Sequence, residues 1–416
     1  MTASHAQAQG MFGFWHIASP DARRALIAAA MGWMLDAFDV MLYALVLASL
    51  MADLGIDKPT AGLLGSLTLA ASAVGGVAFG VFADRYGRTR ALVASILIYS
   101  VFTFACGLAQ SVLQLAIFRV LLGLGMGGEW ASGAALVSET WPAEHRGKAL
   151  GLMQSAWAIG YALAAVVNMI VLPSFGWRAV FFVGVIPAFF TLWVRRRVRE
   201  PEVWQRSRGT QAARAPFAQM FGSGFLRITL VITLMNACTM FAWWGFNLWI
   251  PAYLSLSVEG GGIGLTPVAM SWFIVAMQVG MWFGYVTFGF ISDAAGRRRT
   301  YVTYLLAAAV LMFTYASVQQ PWMLLALGPF VAFFGTGYFS GFGAVTAEIY
   351  PTAIRATAQG LTYNAGRIVS AAAPFLLGSV AQHRGFGFAF GLAAAAFVCA
   401  AACWVAIPET KGRELA

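Results

Sequence analysis

Two carboxylates lie three residues apart inside an apolar stretch of the sequence. Asp36 and Asp39 fall near the middle of residues 25–50, a run long enough to cross a bilayer. Helical residues spaced i and i+3 share one face, and ionisable side chains at membrane depth are costly and mark a proton or substrate pathway by default. The pair therefore predicts a proton site on one face of a membrane helix. A purely structural ion pair is the alternative.

A cation lies deep in another apolar stretch near the end of the chain. Arg367 is about eleven residues into residues 356–381, roughly 16 Å by helical rise. Tyr363 and Asn364 precede it by about one turn, on the face that it can reach. Guanidinium groups bind carboxylates through two parallel hydrogen bonds. These residues are thus a candidate site for a substrate carboxylate, and an arginine bonded to backbone carbonyls is the alternative.

The composition excludes a soluble protein. The 416 residues are 60% hydrophobic and 10% charged, with a mean hydropathy of +0.75, whereas charged residues make up about 25% of soluble domains. The net charge of +10 does not indicate a nucleic-acid partner, because the arginines are scattered in short clusters between apolar segments. The four cysteines lack metal-ligand spacing, and no nucleophile and base set stands out. We therefore expect no metal, no cofactor and no enzymatic activity.

Twelve apolar segments predict an all-α membrane protein with twelve transmembrane helices, which we call spans 1–12. The segments lie near 25–51, 60–83, 91–109, 112–138, 148–171, 178–194, 226–254, 266–292, 300–318, 321–347, 356–381 and 386–407. An arginine-rich segment separates the sixth from the seventh. We therefore expect six-helix bundles at 1–194 and 225–416, joined by a cytoplasmic linker at 195–224.

Cations cluster in the connections on one side of the predicted bilayer. The connections after spans 2, 4 and 8 and the linker after span 6 are basic, whereas Lys58, Arg178 and Arg384 stand nearly alone in the opposite connections. Cytoplasmic loops carry an excess of Lys and Arg. The distribution predicts a multi-pass protein of the inner cell membrane with both termini in the cytoplasm.

The two sets of six spans repeat each other. Residues 80–88 recur as 289–297 (289 − 80 = 209), and residues 142–146 recur as 351–355 (351 − 142 = 209). Where the offset drifts to 208, Asp39 corresponds to Asn247 (247 − 39 = 208), so the counterpart of span 1 in the second half offers no acid to match Arg367. Parallel repeats build transporters that bind the substrate between the halves, which makes Asn247 a further candidate for substrate binding.

Four motifs follow in order along the chain. They are G-x-x-x-D-R-x-G-R at 80–88, R-x-x-x-G-x-G at 119–125, P-x-x-x-R-G at 142–147 and a weaker copy of the first at 289–297. With the twelve spans, this set resembles the major facilitator superfamily over nearly the whole chain. Glycines 123, 125 and 128 also spell a literal G-x-G-x-x-G, but inside an apolar helix they favour close helix packing over nucleotide binding.

Shorter stretches resemble one family within that superfamily, the sialate:proton symporters, which include sialic acid and lactate permeases. They are L-D-A-F-D at 35–39, G-G-E-W at 127–130, F-G-W-R-A at 175–179 and T-Y-N at 362–364. The aromatic acid:proton symporters share a similar signature in span 1. The chain lacks two extra central helices that some sialate permeases carry, and span 7 lacks the His- and Asp-containing signature of fungal lactate permeases.

The resemblance implies roles for further residues. Proton symporters of the superfamily place an acid of span 1 against an arginine of span 4, here Arg119, and Asp39 matches that acid. Glu129, further along span 4, is either a second proton carrier or a structural partner. Charged residues at the predicted cytoplasmic helix ends would form a gating network that stabilises the outward-open state. They are Asp84, Arg85, Arg88, Glu139, Arg146, Asp293, Arg297, Glu348 and Arg355.

Together these patterns predict a monomeric, proton-coupled carrier that imports an organic acid anion by alternating access. A monocarboxylate such as lactate, or a sialic or other sugar acid, is the expected substrate, and the proton and the lipid bilayer are the other partners. An aromatic-acid:proton symporter, a neutral sugar carrier and a drug exporter on the same fold remain open as alternatives.

Overall fold

The protein is helical throughout the part described here. The computed structural model describes residue 15 and residues 18–201, 224–351 and 355–411, and these residues contain no β-strand. The helices are α1 Pro20–Leu54, α2 Lys58–Tyr86, α3 Arg88–Leu108, α4 Val112–Thr140, α5 Ala143–Val183, α6 Ile186–Arg197, α7 Leu226–Ser255, α8 Pro267–Ala295, α9 Arg297–Ser317, α10 Pro321–Thr336, α11 Phe342–Ile349, α12 Arg355–Ser370 and α13 Ala373–Cys403. A 3₁₀-helix, Gly337–Gly341, connects α10 to α11 within span 10.

Two of the helices, α5 and α13, contain a break at a glycine, and each belongs to an apolar stretch long enough to cross the membrane region twice. Gly176 in α5 has φ 74° and Gly385 in α13 has φ 83°, a backbone conformation that favours glycine. The two glycines lie 209 residues apart (385 − 176 = 209). Ten apolar stretches are long enough to span, and the two that contain these breaks are 48 and 46 residues long, about twice the 20 residues that one crossing needs. The predicted twelve-span architecture is therefore confirmed.

Short polar residues set the starts of four helices. The side chains of Ser19, Asp57, Ser111 and Thr266 accept hydrogen bonds of 2.9–3.3 Å from backbone N–H groups three residues later. Such caps satisfy donors that the first turn of a helix leaves unpaired. Polar residues between apolar runs therefore fix where the spans begin.

Glycines on span 4 bring it close to spans 2 and 3. A Cβ on Gly123 would overlap the carbonyl oxygen of Thr68, one on Gly127 would overlap that of Ser72, and one on Gly125 would lie 2.8 Å from the backbone nitrogen of Tyr99. Small residues permit such close helix packing in membranes. The packing interpretation of these glycines is confirmed, and the close approach holds Glu129 between the helices of the first half.

The halves contact each other closely toward one membrane face. We call the face where α1 begins the terminal face and the face where α1 ends the opposite face. Every hydrogen bond between described residues of the two halves lies on the opposite side of the centre. These bonds are Lys58 Nζ to Gly260 O at 2.9 Å, Phe375 N to Ser66 Oγ at 3.1 Å, Asn168 Nδ2 to Ser271 Oγ at 3.1 Å and Tyr161 Oη to Asn247 O at 3.3 Å. The opposite face is thus sealed by contacts between the halves.

The predicted linker at 195–224 lies largely outside the described residues. Span 6 continues as a helix to Arg197, and span 7 begins at Leu226. The domain bounds at 194 and 225 therefore stay predictions, although the two sets of six spans are present.

Candidate functional site

Three acids are buried together in the first half. Asp36 and Asp39 lie near the midpoint of α1, and Glu129 lies slightly beyond the midpoint of α4. Each side chain is at most 1% exposed. A Cβ on Gly32 of span 1 would lie 2.5 Å from Oε1 of Glu129, so this acid is packed directly against span 1. The three acids therefore form one cluster between spans 1 and 4.

These carboxylates have few protein partners. Both carboxylate oxygens of Asp39, both of Glu129 and Oδ2 of Asp36 accept no hydrogen bond from the described protein. Thr103 lies beside Asp39, but its hydroxyl donates to the carbonyl oxygen of Tyr99 at 2.8 Å. Buried ionised groups need partners, so unpartnered carboxylates at this depth are suited to carrying a proton.

Arg119 is buried close to the acids without being paired to them. Its guanidinium carbon lies 4.0 Å from the ring centroid of Tyr43, a cation–π contact. Nε and Nη1 find no acceptor among the described residues, and the side chain is 1% exposed. Tyr43 follows Asp39 by four residues on span 1, so Arg119 lies about one turn from Asp39 toward the opposite face. The ion pair of Asp39 with Arg119 that the resemblance implies is absent between these described residues.

Arg367 faces the acid cluster from the second half. Its charge acts on both Asp36 and Glu129, yet it has no described acid within the 4.0 Å limit of an ion pair. Its guanidinium donates no hydrogen bond to the described protein, including backbone carbonyls, and it lines a cavity between the halves. The guanidinium is therefore held at the cavity wall by packing, with its donors available.

Aromatic side chains form most of the wall of this central cavity. Seven of its ten described lining residues are aromatic. They are Trp33, Trp157, Trp243, Trp244, Tyr285, Phe339 and Tyr363. Trp157 lies in contact with Trp33, Trp243 and Trp244, at centroid distances of 4.6, 5.7 and 6.0 Å. Met240, Gln154 and Arg367 complete the lining, which makes a flat-sided apolar cavity with one cation among its described residues.

The second half places only two of the four predicted substrate residues at the cavity. Tyr363 and Arg367 line it. Asn247 donates its amide to the carbonyl oxygen of Trp243 at 3.0 Å and faces a separate small cavity inside the second half. Asn364 donates to the carbonyl oxygen of Gly360 at 2.9 Å. Each asparagine therefore donates one amide N–H within its own helix.

Five of the nine predicted gating residues form one charged cluster in each half. Arg88 donates to Glu139 at 2.9 and 3.0 Å. Arg297 pairs with Glu348 at 2.9 Å and with Asp293 at 2.5 Å. The exposed Arg85 lies over the ring of Tyr86. The side chains of Asp84, Arg146 and Arg355 lie outside the described residues.

Two further acids belong to these clusters, and sequence analysis missed them. Glu200 accepts hydrogen bonds from the backbone N–H groups of Thr89 and Arg90, and Glu409 accepts from those of Arg297 and Arg298. Burial acts to raise the pKa of Glu409, but these N–H groups and those of Thr410 and Lys411 hold its pKa below the usual range. The signal was present, since the two acids lie 209 residues apart (409 − 200 = 209).

A tryptophan and a glutamine at the cavity were also missed. Trp130, next to Glu129, stacks on Tyr363 of the second half with a centroid distance of 4.7 Å and an interplanar angle of 8°. Its Nε1 donates to Oε1 of Gln154 at 3.2 Å. The G-G-E-W motif had marked Trp130 as a family signature only, and nothing in the sequence connects spans 4, 5 and 11 at this point.

Comparisons with known proteins agree with this architecture. The family description Major Facilitator Superfamily matches residues 29–262 and 259–415. A cis,cis-muconate transport protein of Acinetobacter baylyi is 32% identical, with 90% of this chain and 92% of the relative covered. The sialic acid transporter NanX of Escherichia coli is 30% identical, with 91% and 92% covered. The partially occluded inward-open structure of the xylose transporter XylE from E. coli is 22% identical, covers 95% of this chain and 100% of its own, and has a TM-score of 0.77.

A twelve-span fold of two repeated halves around a central cavity defines a membrane transporter. The chain belongs to the major facilitator superfamily. The relatives and solved structures just described are transport proteins, so the chain is a transporter and not an enzyme.

Proposed function

We propose that this transporter moves an organic acid anion together with a proton. The observation that carries the proposal is the position of Arg367, whose unpaired guanidinium lines the cavity while its charge reaches Asp36 and Glu129. A guanidinium with available donors binds a carboxylate tightly. A neutral sugar would not satisfy its charge.

Competition for Arg367 supplies the coupling. While Asp36 and Glu129 are ionised, their charges attract the guanidinium and oppose a third carboxylate at the cavity. Protonation removes that repulsion and leaves Arg367 to the substrate anion. Two ligands that each favour the other's binding are coupled reciprocally, so proton and anion would cross together.

Asp39 and Arg119 form the other part of the proton pathway in this proposal. Arg119 now lies over Tyr43, and the Asp39 oxygens are without hydrogen-bond partners in the described protein, an arrangement suited to a protonated Asp39. Movement of Arg119 by about one helical turn, roughly 5 Å, would bring it to an ionised Asp39. A cation that moves toward and away from an acid changes the proton affinity of that acid.

The cavity favours a planar, unsaturated acid over lactate or a sugar acid. Sugar acids carry many hydroxyl groups that need hydrogen-bond partners, whereas most of the described lining is aromatic. Flat aromatic walls suit stacking against a conjugated ring or chain. The cis,cis-muconate relative supports a conjugated, unsaturated acid as substrate, and the sialic acid relative supports recognition of a carboxylate.

The side of the membrane from which the cavity is accessible follows from the orientation that we propose. The basic connections support a terminal face and both termini in the cytoplasm, so the seal at the opposite face would lie outside. The structure then corresponds to the state that receives or releases substrate on the cytoplasmic side. The charged clusters around Glu139 and Glu348, with the other predicted gating residues, would hold the cytoplasmic ends together in the outward-open state. We propose that the carrier acts as a monomer in the inner cell membrane.

Uptake into proteoliposomes tests this function. Purified protein should accumulate radiolabelled 4-hydroxybenzoate when the outside is more acidic than the inside, and a membrane potential alone should drive little uptake, because a proton plus a monoanion carries no net charge. Protein-free liposomes report diffusion of the neutral acid. Unlabelled benzoate should compete, and xylose should not. Uptake driven by potential alone, or blocked by xylose and not by benzoate, would contradict the proposal.

A further inference from the structure

Gln154 is the one neutral amide among the described residues that line the central cavity. It lies on span 5, close to Trp157. Its Oε1 accepts a hydrogen bond of 3.2 Å from Nε1 of Trp130 on span 4. This contact determines which end of the amide is available to a ligand.

The chemistry of the indole fixes the orientation of the amide. An indole N–H can donate and cannot accept, so the amide oxygen, and not the amide nitrogen, must face Trp130. The indole ring is held in turn, because it stacks on Tyr363 at 4.7 Å with an interplanar angle of 8°. The NH₂ group of Gln154 is therefore directed away from Trp130, and it donates to no other described residue.

Other cavity residues add N–H donors without acceptors. Trp33 and Trp157 line the cavity, and neither indole N–H has a partner in the described protein. A ligand with a single carboxylate would satisfy Arg367 and leave the NH₂ group of Gln154 unpaired. Unpaired buried donors oppose binding, and sites built around them discriminate strongly against ligands that lack the matching group.

We infer that Gln154 determines substrate specificity by donating a hydrogen bond to a second acceptor atom on the substrate, away from the carboxylate that Arg367 binds. The acceptor is a ring nitrogen, a carbonyl oxygen or a second oxygen substituent on a planar acid. Trp130 is a positioning residue, which acts by holding the amide oxygen. The inference rests on the proposed function, since it assumes a carboxylate at Arg367.

Benzoate and the pyridine carboxylates test the inference with a change of one atom. Nicotinate and isonicotinate replace one ring CH of benzoate by an accepting nitrogen and keep its shape and charge. Isothermal titration calorimetry on the purified full-length protein gives the dissociation constants. The better of the two pyridine acids should bind about fivefold more tightly than benzoate, the gain of one neutral hydrogen bond.

Gln154→Glu is the decisive variant, because a carboxylate still accepts from Trp130 but can no longer donate. In this variant the preference for the pyridine acid over benzoate should fall to one or below. Gln154→Leu should also abolish the preference. Trp130→Phe keeps a ring for stacking and frees the amide to rotate, so it should reduce the preference about twofold. Gln382→Glu makes the same change at an exposed glutamine outside the cavity and should leave the preference intact.

The outcomes separate the inference from the proposed function. If the wild-type protein binds neither benzoate nor either pyridine acid, the carboxylate site fails and the inference fails with it. If all three bind equally, or if the preference survives in Gln154→Glu, the inference is wrong while the proposed function stands. Loss of the preference in Gln382→Glu would also overturn it. Benzoate binding that stays measurable in each variant shows that the variant is folded.

Discussion

The charged clusters at the helix ends follow the repeat of the two halves, whereas the charged residues at the centre of the protein do not. At the helix ends, Arg88 and Glu139 of the first half correspond to Arg297 and Glu348 of the second (297 − 88 = 209; 348 − 139 = 209), and each pair is joined at 2.9 Å. Glu200 and Glu409, and the breaks at Gly176 and Gly385, follow the same offset of 209 residues. The ends of the two halves are therefore built alike.

At the centre, no charge is repeated. Positions 209 residues after Arg119 and Glu129 are Gly328 and Tyr338, and the position 209 residues before Arg367 is Ala158. Both halves carry the charged clusters to which we assign gating, whereas the three buried acids occur in one half and Arg367, the proposed anion site, occurs in the other. In our proposal, the repeated charges therefore serve the motion of the halves, and the unrepeated buried charges serve proton and anion binding.

Replacement of Arg367 should have the largest effect. Arg367→Ala should weaken benzoate binding by about 100-fold or more, because removing a buried charge partner costs about 2–5 kcal/mol. Arg367→Lys keeps the charge but loses the bidentate geometry and should bind about tenfold more weakly. Calorimetric dissociation constants measure both. The exposed Arg384, which lies over Phe388 at the opposite face, gives the control Arg384→Lys, which should change binding less than twofold. Normal binding in Arg367→Lys would refute the carboxylate contact.

Neutralisation of Asp39 should remove coupling and spare exchange. A pH difference of one unit supports about tenfold accumulation of an anion that crosses with one proton. Asp39→Asn should reduce that accumulation to about one while preloaded vesicles still exchange labelled substrate. Asp53→Asn is the matched control, since this exposed aspartate pairs with Arg178 at 2.7 Å at the opposite face. Uphill uptake by Asp39→Asn at the wild-type level would assign the proton to another acid.

Replacement of the acid in either repeated pair should have the same effect, and one smaller than that of replacing Asp39. Glu139→Gln and Glu348→Gln each remove one charge from an arginine cluster at a helix end. Each should slow exchange about fivefold and leave the benzoate dissociation constant unchanged, because neither acid contacts the cavity. Exchange rates that differ tenfold between the two variants would contradict the equivalence of the two clusters.

Loss of the Glu409 charge should have the smallest effect, and one that depends on pH. The folded protein holds the pKa of Glu409 below its usual value, although burial opposes this. Its contribution to stability is therefore present above the unfolded-state pKa of about 4.3 and is lost as the pH falls through the lower folded-state pKa. Glu409→Gln should lower the melting temperature by about 1 °C at pH 7, a small change because the exposed side chain is screened by solvent. The difference between variant and wild type should shrink as the pH approaches 4, and a difference that grows on acidification would contradict it.

Much of the fold could be predicted because membrane crossing constrains length and polarity. Apolar run length located the spans within a few residues, and the cost of buried charge singled out Asp36, Asp39 and Arg367. The glycines of span 4 were interpreted correctly because small residues inside an apolar helix permit close helix packing.

Contacts between side chains on different helices could not be predicted, because they depend on how the helices pack in three dimensions. Arg119 over Tyr43 is one helical turn from the position that the resemblance implies, a distance that spacing along one helix cannot resolve. Asn247 and Asn364 were predicted as ligands by position, and each donates one hydrogen bond within its own helix, a contact that spacing does not reveal. Trp130 and Gln154 come together only through tertiary packing. Glu200 and Glu409 could have been found by extending the repeat comparison to the ends of both halves.

The tryptophan cluster at the cavity gives the protein a built-in optical signal. Trp33, Trp157, Trp243 and Trp244 form an unbroken chain of contacts, with 4.9 Å between the rings of the last two. Tryptophans fixed in an asymmetric environment give near-ultraviolet circular dichroism that disappears when packing is lost. A ligand that enters between these rings, or a rocking motion that separates span 1 from span 7, must therefore change the spectrum of the unlabelled protein. The residues that shape the substrate site can also report, without any added dye, when it is occupied.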